Sequence, residues 1–446
     1  MTQSAFAVVI AGATGNLAKL KLVPALQKLF DQNRLGPDPL VIGTGRREIS
    51  DEDFRNRFDL SAPFADNFFY HRNIRGIKQF MENRGPFERV VFFLSLPPAA
   101  YSDTAREIAA EGFGAKASII LEKPFGYDLD SARKLNTELT RFFDESQIFR
   151  IDHYLAKEAV LNMLVFRFAN SIFEPLWNGR FVESIQINAI EQRQVEDRCE
   201  YFDGAGIIRD MVQNHLLQLL CLLTMEPALS LDSDDIRNRK IDILRVLSLD
   251  KFHRFQYRGY CNTKGIHPKS KTETFAELQM SITNSRWVGV PVLIRCGKAA
   301  HRTGTEIGVR FKPLPRILYN SNGSLEPNCI IFKIQPSEGI VLDIQSKIPG
   351  SDNGITRSSM NFCMRDSFWG DIPEAYQRLI HDALRGDRTH FVSARELETA
   401  WDVVSPALEQ SDGDGFPELY EPGTLPVSRL ALRWIDFDNY FSECCR

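Results

Sequence analysis

The sequence predicts an α/β domain built on a parallel sheet, followed by an α+β domain with a large, mainly antiparallel sheet. Up to residue 150, apolar runs of strand length alternate with amphipathic stretches of helix length, a pattern that folds into parallel strands joined by right-handed crossovers. From Val182 onward, longer alternating segments joined by short turn-like connections take over, which is the texture of antiparallel strands. At 446 residues the chain is too long for one ordinary core, so two domains are expected, residues 1–150 and 151–446.

Apolar runs place strands of the first domain at Phe6–Ala11, Pro39–Ile42, Phe68–His71, Val90–Leu94, Ala117–Leu121 and Gln147–Ile151. Helical stretches lie between them at Leu17–Phe30, Asp51–Phe58, Gly76–Asn83, Ala99–Gly112 and Asp128–Phe143. A further helix is expected over Ala156–Phe168, where Val160, Leu161, Leu164, Val165 and Phe168 recur at helix spacing. In the second domain the strands fall at Ser184–Glu191, Thr274–Ile282, Pro291–Arg295, Glu306–Phe311, Cys329–Ile334 and Gly339–Ile344. Helices are expected there at Ile207–Leu223, Pro373–Leu384 and Ala394–Ala407. The segment Cys261–Lys271, with Gly265, Pro268 and several lysines, reads as a mobile loop.

Composition narrows the function. Hydrophobic content of 43% and charged content of 25% are those of a globular protein. With 54 basic against 58 acidic residues the formal charge is −4, which argues against a general nucleic-acid binder. No apolar run approaches the ~20 residues of a membrane span, and the N-terminus lacks a basic segment followed by a long apolar one. The eight cysteines show no paired metal-ligand spacing. They read as reduced packing thiols, with no metal site and a cytoplasmic location expected.

Three motifs carry chemistry. Gly12-Ala-Thr14-Gly15-Asn16-Leu17 follows the first strand and opens a helix. Small residues there let the backbone approach a pyrophosphate at the helix N-terminus, as in a Rossmann-type domain. The second strand runs into Arg46 and Arg47, where an NAD enzyme usually has a carboxylate for the ribose diol. Arginines suit a 2′-phosphate, so NADP is the expected cofactor. The second motif, Arg150-Ile-Asp152-His153-Tyr154-Leu-Ala-Lys157-Glu158, gathers an acid, an imidazole, a phenol and an ammonium where a strand gives way to a helix. That combination suits a phosphate monoester, although a capped helix with a polar first turn would read the same way. The third is a pair of segments. Glu122-Lys123-Pro124-Phe125-Gly126 stands at the end of the fifth strand, and Phe202-Asp-Gly-Ala-Gly206-Ile-Ile-Arg209-Asp210-Met-Val-Gln213-Asn214-His215 leads into an apolar helix.

Together and in this order, these motifs strongly resemble the glucose-6-phosphate dehydrogenase family. The similarity extends over nearly the whole chain, through Arg295-Cys-Gly-Lys298 and the stretch from Ala375-Tyr-Gln-Arg-Leu-Ile to His390-Phe-Val. The resemblance implies NADP-dependent oxidation at C1 of a hexose 6-phosphate, foremost glucose 6-phosphate to 6-phosphogluconolactone. It implies that His215 is the general base and Asp152 the carboxylate that orients it. His153, Tyr154 and Lys157 match the 6-phosphate cradle, and Lys123 matches a residue bridging cofactor and sugar. Asp210 and Glu191 match carboxylates on sugar hydroxyls, and Lys298 a lysine reaching the substrate from the second domain. Tyr101, after Leu96-Pro97-Pro98, is either a cofactor neighbour or a packed helix-start aromatic. A homodimer or dimer of dimers, built largely from the antiparallel sheet, is also implied.

Several positions depart from the family pattern. Asn16 stands where the family often has Asp, and Thr303 where it usually has a basic residue five positions after the lysine matching Lys298. Arg302 or His301 could reach in instead, but strand neighbours point to opposite sides. Large polar residues fill Glu191–Arg198, the chain is short for the family, and Tyr420–Pro426 keeps its C-terminal pattern only in part. These departures leave a second reading open, a dehydrogenase of glucosamine 6-phosphate or N-acetylglucosamine 6-phosphate. A third, a non-catalytic sugar-phosphate-binding regulator, is opposed by the presence of Asp152, His215 and Lys123.

Overall fold

A computed structural model of the chain describes residues 5–196, 198–314, 325–367, 373–413 and 415–440. The chain divides into two compact units. The first comprises Met1–Ala156, Ala228–Asn238 and Pro373–Glu398, and the second Lys157–Pro227, Arg239–Ile372 and Thr399–Arg446. The first unit thus includes two late segments that the sequence reading had grouped with residues 151–446.

Six parallel strands form the sheet of the first unit: β1 (Phe6–Ala11), β2 (Leu40–Thr44), β3 (Phe68–His71), β4 (Arg89–Leu94), β5 (Ala117–Leu121) and β6 (Ile148–Ile151). A late two-residue strand, β15 in chain order (Phe391–Val392), adds antiparallel to β6. The order is β15-β6-β5-β4-β1-β2-β3, so the chain reverses direction across the sheet between β1 and β4. Open sheets of this kind bind ligands outside the strand carboxyl ends at such a switch point. Ala7, Val9 and Ile10 of β1 are fully buried, as parallel strands covered on both faces must be. Val8, Ile10, Val91 and Phe93 pack with Leu379, Ile380 and Leu384 of the helix Ala375–Arg385. The rings of Phe149 and Phe391 meet edge-on at 4.9 Å and seat β15. Buried Arg150 is paired with Glu145 at 2.8 Å and Asn136 at 2.9 Å, which compensates its desolvation.

Two local differences from the sequence reading have identifiable causes. β2 continues to Thr44 rather than stopping at Ile42. Gly43 is a packing glycine, because a Cβ there would stand 2.2 Å from Phe54 Cζ. The first helix opens with a π-helical stretch, Ala18–Leu22, in which Val23 N–H donates to Ala18 O. Pro24 follows and has no N–H to return to the preceding turn.

The second unit holds a nine-stranded sheet: β7 (Val182–Ile190), β8 (Leu247–Tyr257), β9 (Phe275–Ile282), β10 (Pro291–Gly297), β11 (Gly304–Phe311), β12 (Cys329–Gln335), β13 (Gly339–Lys347), β14 (Ile355–Cys363) and β16 (Glu418–Tyr420). The order is β14-β13-β12-β11-β7-β10-β9-β8-β16. Pairing is antiparallel apart from β7 with β10 and β8 with β16. The loop expected to be mobile is tied down. Asp203 accepts hydrogen bonds from Tyr260 at 3.0 Å and Ser270 at 2.5 Å, and its carbonyl accepts one from Thr272 at 2.6 Å. The helical run containing His215 ends where buried Trp177 and Trp287 donate to Leu223 O at 2.8 Å and Thr224 O at 2.7 Å. Among the described residues, no helix is long and apolar enough to cross a membrane.

Candidate active site

In the first unit, Gly12 closes the turn after β1. Its N–H and that of Ala13 donate to Thr44 O at 3.0 and 3.1 Å. Gly12 has φ +84°, and a Cβ would lie 2.3 Å from Ser95 O. Only glycine fits both conditions. Thr14, Gly15 and Asn16 are exposed and Leu17 half-buried, so the backbone at the head of the helix faces outward. A tight glycine turn at the head of a helix suits a pyrophosphate. Arg46 and Arg47 are exposed just past β2, and Arg47 O accepts the Tyr70 hydroxyl at 2.7 Å. The loop is thereby fixed from the backbone while both guanidinium groups face solvent. Tyr101 is 1% exposed and donates to Glu122 O at 2.7 Å. Its phenol braces the end of β5.

Lys123, at that braced end, is half-buried. Beside it, burial pushes the Glu122 carboxyl up to about 7, against the Tyr376 hydrogen bond and the Lys123 charge. Asp152 is 2% exposed. Its Oδ1 accepts the Tyr154 N–H at 3.0 Å and its carbonyl the Leu155 N–H at 3.0 Å. This local turn buries Tyr154 and leaves His153 half-exposed, with their rings 5.1 Å apart. The turn also delays the helix, which begins at Glu158 rather than Ala156. Lys157 caps it in extended conformation, its carbonyl accepting from Val160 and Leu161 N–H at 3.0 and 3.1 Å. The division between the units falls inside this motif, so Lys157 opens the second. There the Lys157 ammonium opposes the upward push of burial on the Glu338 carboxyl.

In the second unit, Glu191, Asp210 and Lys298 line one cleft of about 200 Å³ with Tyr201 and Phe202. Lys298 Nζ stands 2.6 Å from Glu191 Oε2 and 5.4 Å from the Phe202 ring centre. Its backbone is clamped, N–H to Thr274 O at 2.9 Å and carbonyl to Tyr420 OH at 2.5 Å. Burial and the Asp210 carboxylate push the Tyr201 phenol up to about 12, so it stays protonated and able to donate. Tyr201 escaped the sequence reading; an aromatic immediately before the Phe202 motif was the available signal.

His215 is 1% exposed on the π-helical stretch Ile208–Leu216, and its N–H donates to Asn214 Oδ1 at 2.6 Å. A turn that closes on the fifth residue brings positions four and five apart toward one face. It therefore holds Asp210 and His215, five positions apart, nearer to one face than α pitch would.

The departure at Thr303 lies in this unit. Thr303 Oγ1 accepts the Gln192 N–H at 2.9 Å. Buried Arg302 pairs with Glu306 at 2.5 Å and Asp438 at 2.6 Å, and His301 meets Asp438 at 3.0 Å. Both basic residues are held by Asp438.

Two family models match consecutive parts of the chain. One described as glucose-6-phosphate dehydrogenase, NAD binding domain, covers residues 9–162. One described as glucose-6-phosphate dehydrogenase, C-terminal domain, covers residues 164–431. The glucose-6-phosphate 1-dehydrogenase of Bacillus subtilis (strain 168) is 37% identical over 449 residues, covering 90% of this chain and 91% of that protein. The chloroplastic glucose-6-phosphate 1-dehydrogenase of Spinacia oleracea is 36% identical, covering 97% and 84%. A solved structure of glucose-6-phosphate dehydrogenase in complex with its substrate glucose-6-phosphate aligns with a TM-score of 0.89 at 33% identity, covering 95% of this chain and 96% of that one.

Proposed function

The chain belongs to the glucose-6-phosphate dehydrogenase family, and from that premise we propose that it oxidises glucose 6-phosphate at C1 to 6-phosphogluconolactone with NADP. The observation that carries the reading is the second-unit cleft, in which Glu191, Asp210 and Lys298 face a space of sugar size, with Asp210 on the helical segment that also carries His215. Glu191 and Asp210 accept hydrogen bonds from ring hydroxyls, and Lys298 donates to a ring or hydroxyl oxygen. Lys157, His153 and Tyr154 hold the 6-phosphate, aided by the positive end of the helix that Lys157 caps. His215 removes the proton of the C1 hydroxyl, a task suited to an imidazole near neutral pH. Asp152 orients that ring and stabilises its cationic form. Lys123 spans sugar and cofactor.

NADP, when bound, supplies the ring carbon that receives the C1 hydride. The Gly12 cradle, with Thr14, Gly15, Asn16 and Leu17, takes the pyrophosphate, and Arg46 and Arg47 take the 2′-phosphate. Family resemblance supports a homodimer or dimer of dimers. Six described cysteines, all free, accord with a cytoplasmic location.

The test is a panel of hexose 6-phosphates followed by NADPH absorbance. Glucose 6-phosphate should give the highest kcat/KM; a clear advantage for glucosamine 6-phosphate or N-acetylglucosamine 6-phosphate would overturn the assignment. Cofactor choice is checked separately. Arg46→Ala removes a charge-assisted contact of roughly 1.5–3 kcal/mol, so the NADP/NAD efficiency ratio should fall at least ~10-fold. An unchanged ratio would remove Arg46 from the 2′-phosphate site.

A further inference from the structure

Glu273 is a buried carboxylate that the proposed chemistry does not use. It is 4% exposed and lies just before β9, at the start of the helical turn carrying Asp210 and His215. Its Oε1 accepts the Ile208 N–H at 3.2 Å, and its own carbonyl accepts the Ile207 N–H at 3.1 Å. These are the opening donors of Ile208–Leu216, groups that a helix leaves without internal partners. The chain reaches them through Gly206 at φ 71°, ψ 171°, a break between the helix Cys199–Ile207 and the π-helical stretch. A Cβ at Gly206 would stand 2.2 Å from Glu273 Oε1 and 2.8 Å from Oε2. The glycine therefore serves a second purpose besides its positive φ, since it leaves room for the carboxylate to reach the helix start.

The next residue completes the arrangement. Thr274 O accepts the Lys298 N–H at 2.9 Å. Adjacent residues thus fix two walls of the sugar cleft, Glu273 the turn bearing Asp210 and Thr274 the backbone of Lys298. We infer that Glu273 is a positioning residue, whose side-chain acceptor sets the start of the Ile208–Leu216 turn and through it the placement of Asp210 and His215. It touches neither substrate nor cofactor. The inference rests on the function proposed above for its kinetic consequence, though not for its structural one.

Two substitutions separate the acceptor from the space it fills. Glu273→Gln keeps a side-chain carbonyl at the same reach, whereas Glu273→Met keeps length and bulk without an acceptor. Deuterium exchange of the amides from Ile207 to Leu216, measured without ligands, should be at least tenfold faster in Glu273→Met and within threefold of the parent in Glu273→Gln. With glucose 6-phosphate and NADP, kcat should fall at least tenfold in Glu273→Met while KM for NADP stays within threefold; Glu273→Gln should recover most of kcat. Unchanged exchange in Glu273→Met would overturn the inference. If that variant does not fold, the Gln variant decides alone, because a tenfold loss of kcat in the folded protein would show that the charge, rather than the acceptor, matters. A parent protein inactive on glucose 6-phosphate would refute the function while leaving the exchange result to judge Glu273.

Discussion

His215→Asn is expected to lower turnover by ~10²–10⁴ while leaving NADP binding intact, because a positioned general base contributes about that much. Asn is close to His in reach and keeps a polar group at a site only 1% exposed, so the loss reports proton transfer rather than collapse. Asp152→Asn should lower turnover as well, for a different reason. Asp152 Oδ1 accepts the Tyr154 N–H at 3.0 Å, and an Asn carbonyl oxygen can keep that bond, so the turn should survive. What disappears is the charge that favours the imidazolium and its correct tautomer. Single-turnover absorbance at saturating glucose 6-phosphate and NADP measures both variants. If His215→Asn turned over near the parental rate, another group would have to take the C1 proton.

The parallel half of the fold was legible because its strands are continuous apolar runs bounded by turn residues. β1, β3, β5 and most of β4 and β6 lie where the pattern put them, since full burial demands apolar side chains on both faces. The sequence was silent where that demand lapses. β8 carries Asp250, Lys251, His253 and Arg254 and is buried mainly over its last three residues. β14 is one of the sheet's two edge strands, and most of its side chains are exposed or half-exposed, so no alternation marked it. The helix Ser233–Arg245 is dense in charge, yet it buries Ile236, Ile241, Ile243 and Leu244 along with Arg237 and Lys240. β15 is two residues long and is held by long-range contacts, Phe391 on Phe149 and Arg237 on the Phe391 carbonyl, that no local window contains.

The candidate site divides along similar lines. Glu191, Asp210 and Lys298 were found by motif and share one cleft. Tyr101 had two readings, a cofactor neighbour or a packed aromatic, and it is buried with its hydroxyl on Glu122 O. Glu273 was invisible because nothing in Thr272-Glu273-Thr274 announces a carboxylate reaching the start of a distant helix. Thr303 looked like a missing contact, and its hydroxyl accepts the Gln192 N–H. Motifs preserve the groups that meet a ligand. The groups that hold them are set by packing, which a single sequence encodes only through the whole fold.

Removing the phosphate should cost the reaction almost as much as removing the base. Free glucose is expected to have a kcat/KM lower by ~10³ or more, since a phosphate dianion makes several charge-assisted contacts of roughly 1.5–3 kcal/mol each. Part of that loss should fall on kcat, because binding energy from a remote group also positions the reacting carbon. Lys157→Ala tests a single contact. Lys157 caps the helix Glu158–Phe168 through its carbonyl, which accepts from Val160 and Leu161 N–H at 3.0 and 3.1 Å. An alanine keeps that carbonyl, so the helix start should persist while the ammonium is lost. KM for glucose 6-phosphate should then rise by ~10–100-fold, with kcat changed least and KM for NADP unmoved. Lys157→Arg keeps a cation but not its shape, and should fall between Ala and the parent. Initial rates with glucose 6-phosphate and with glucose, for the three proteins, decide the matter. An unchanged KM in Lys157→Ala, or free glucose turned over within tenfold of its phosphate ester, would show that the phosphate is held elsewhere.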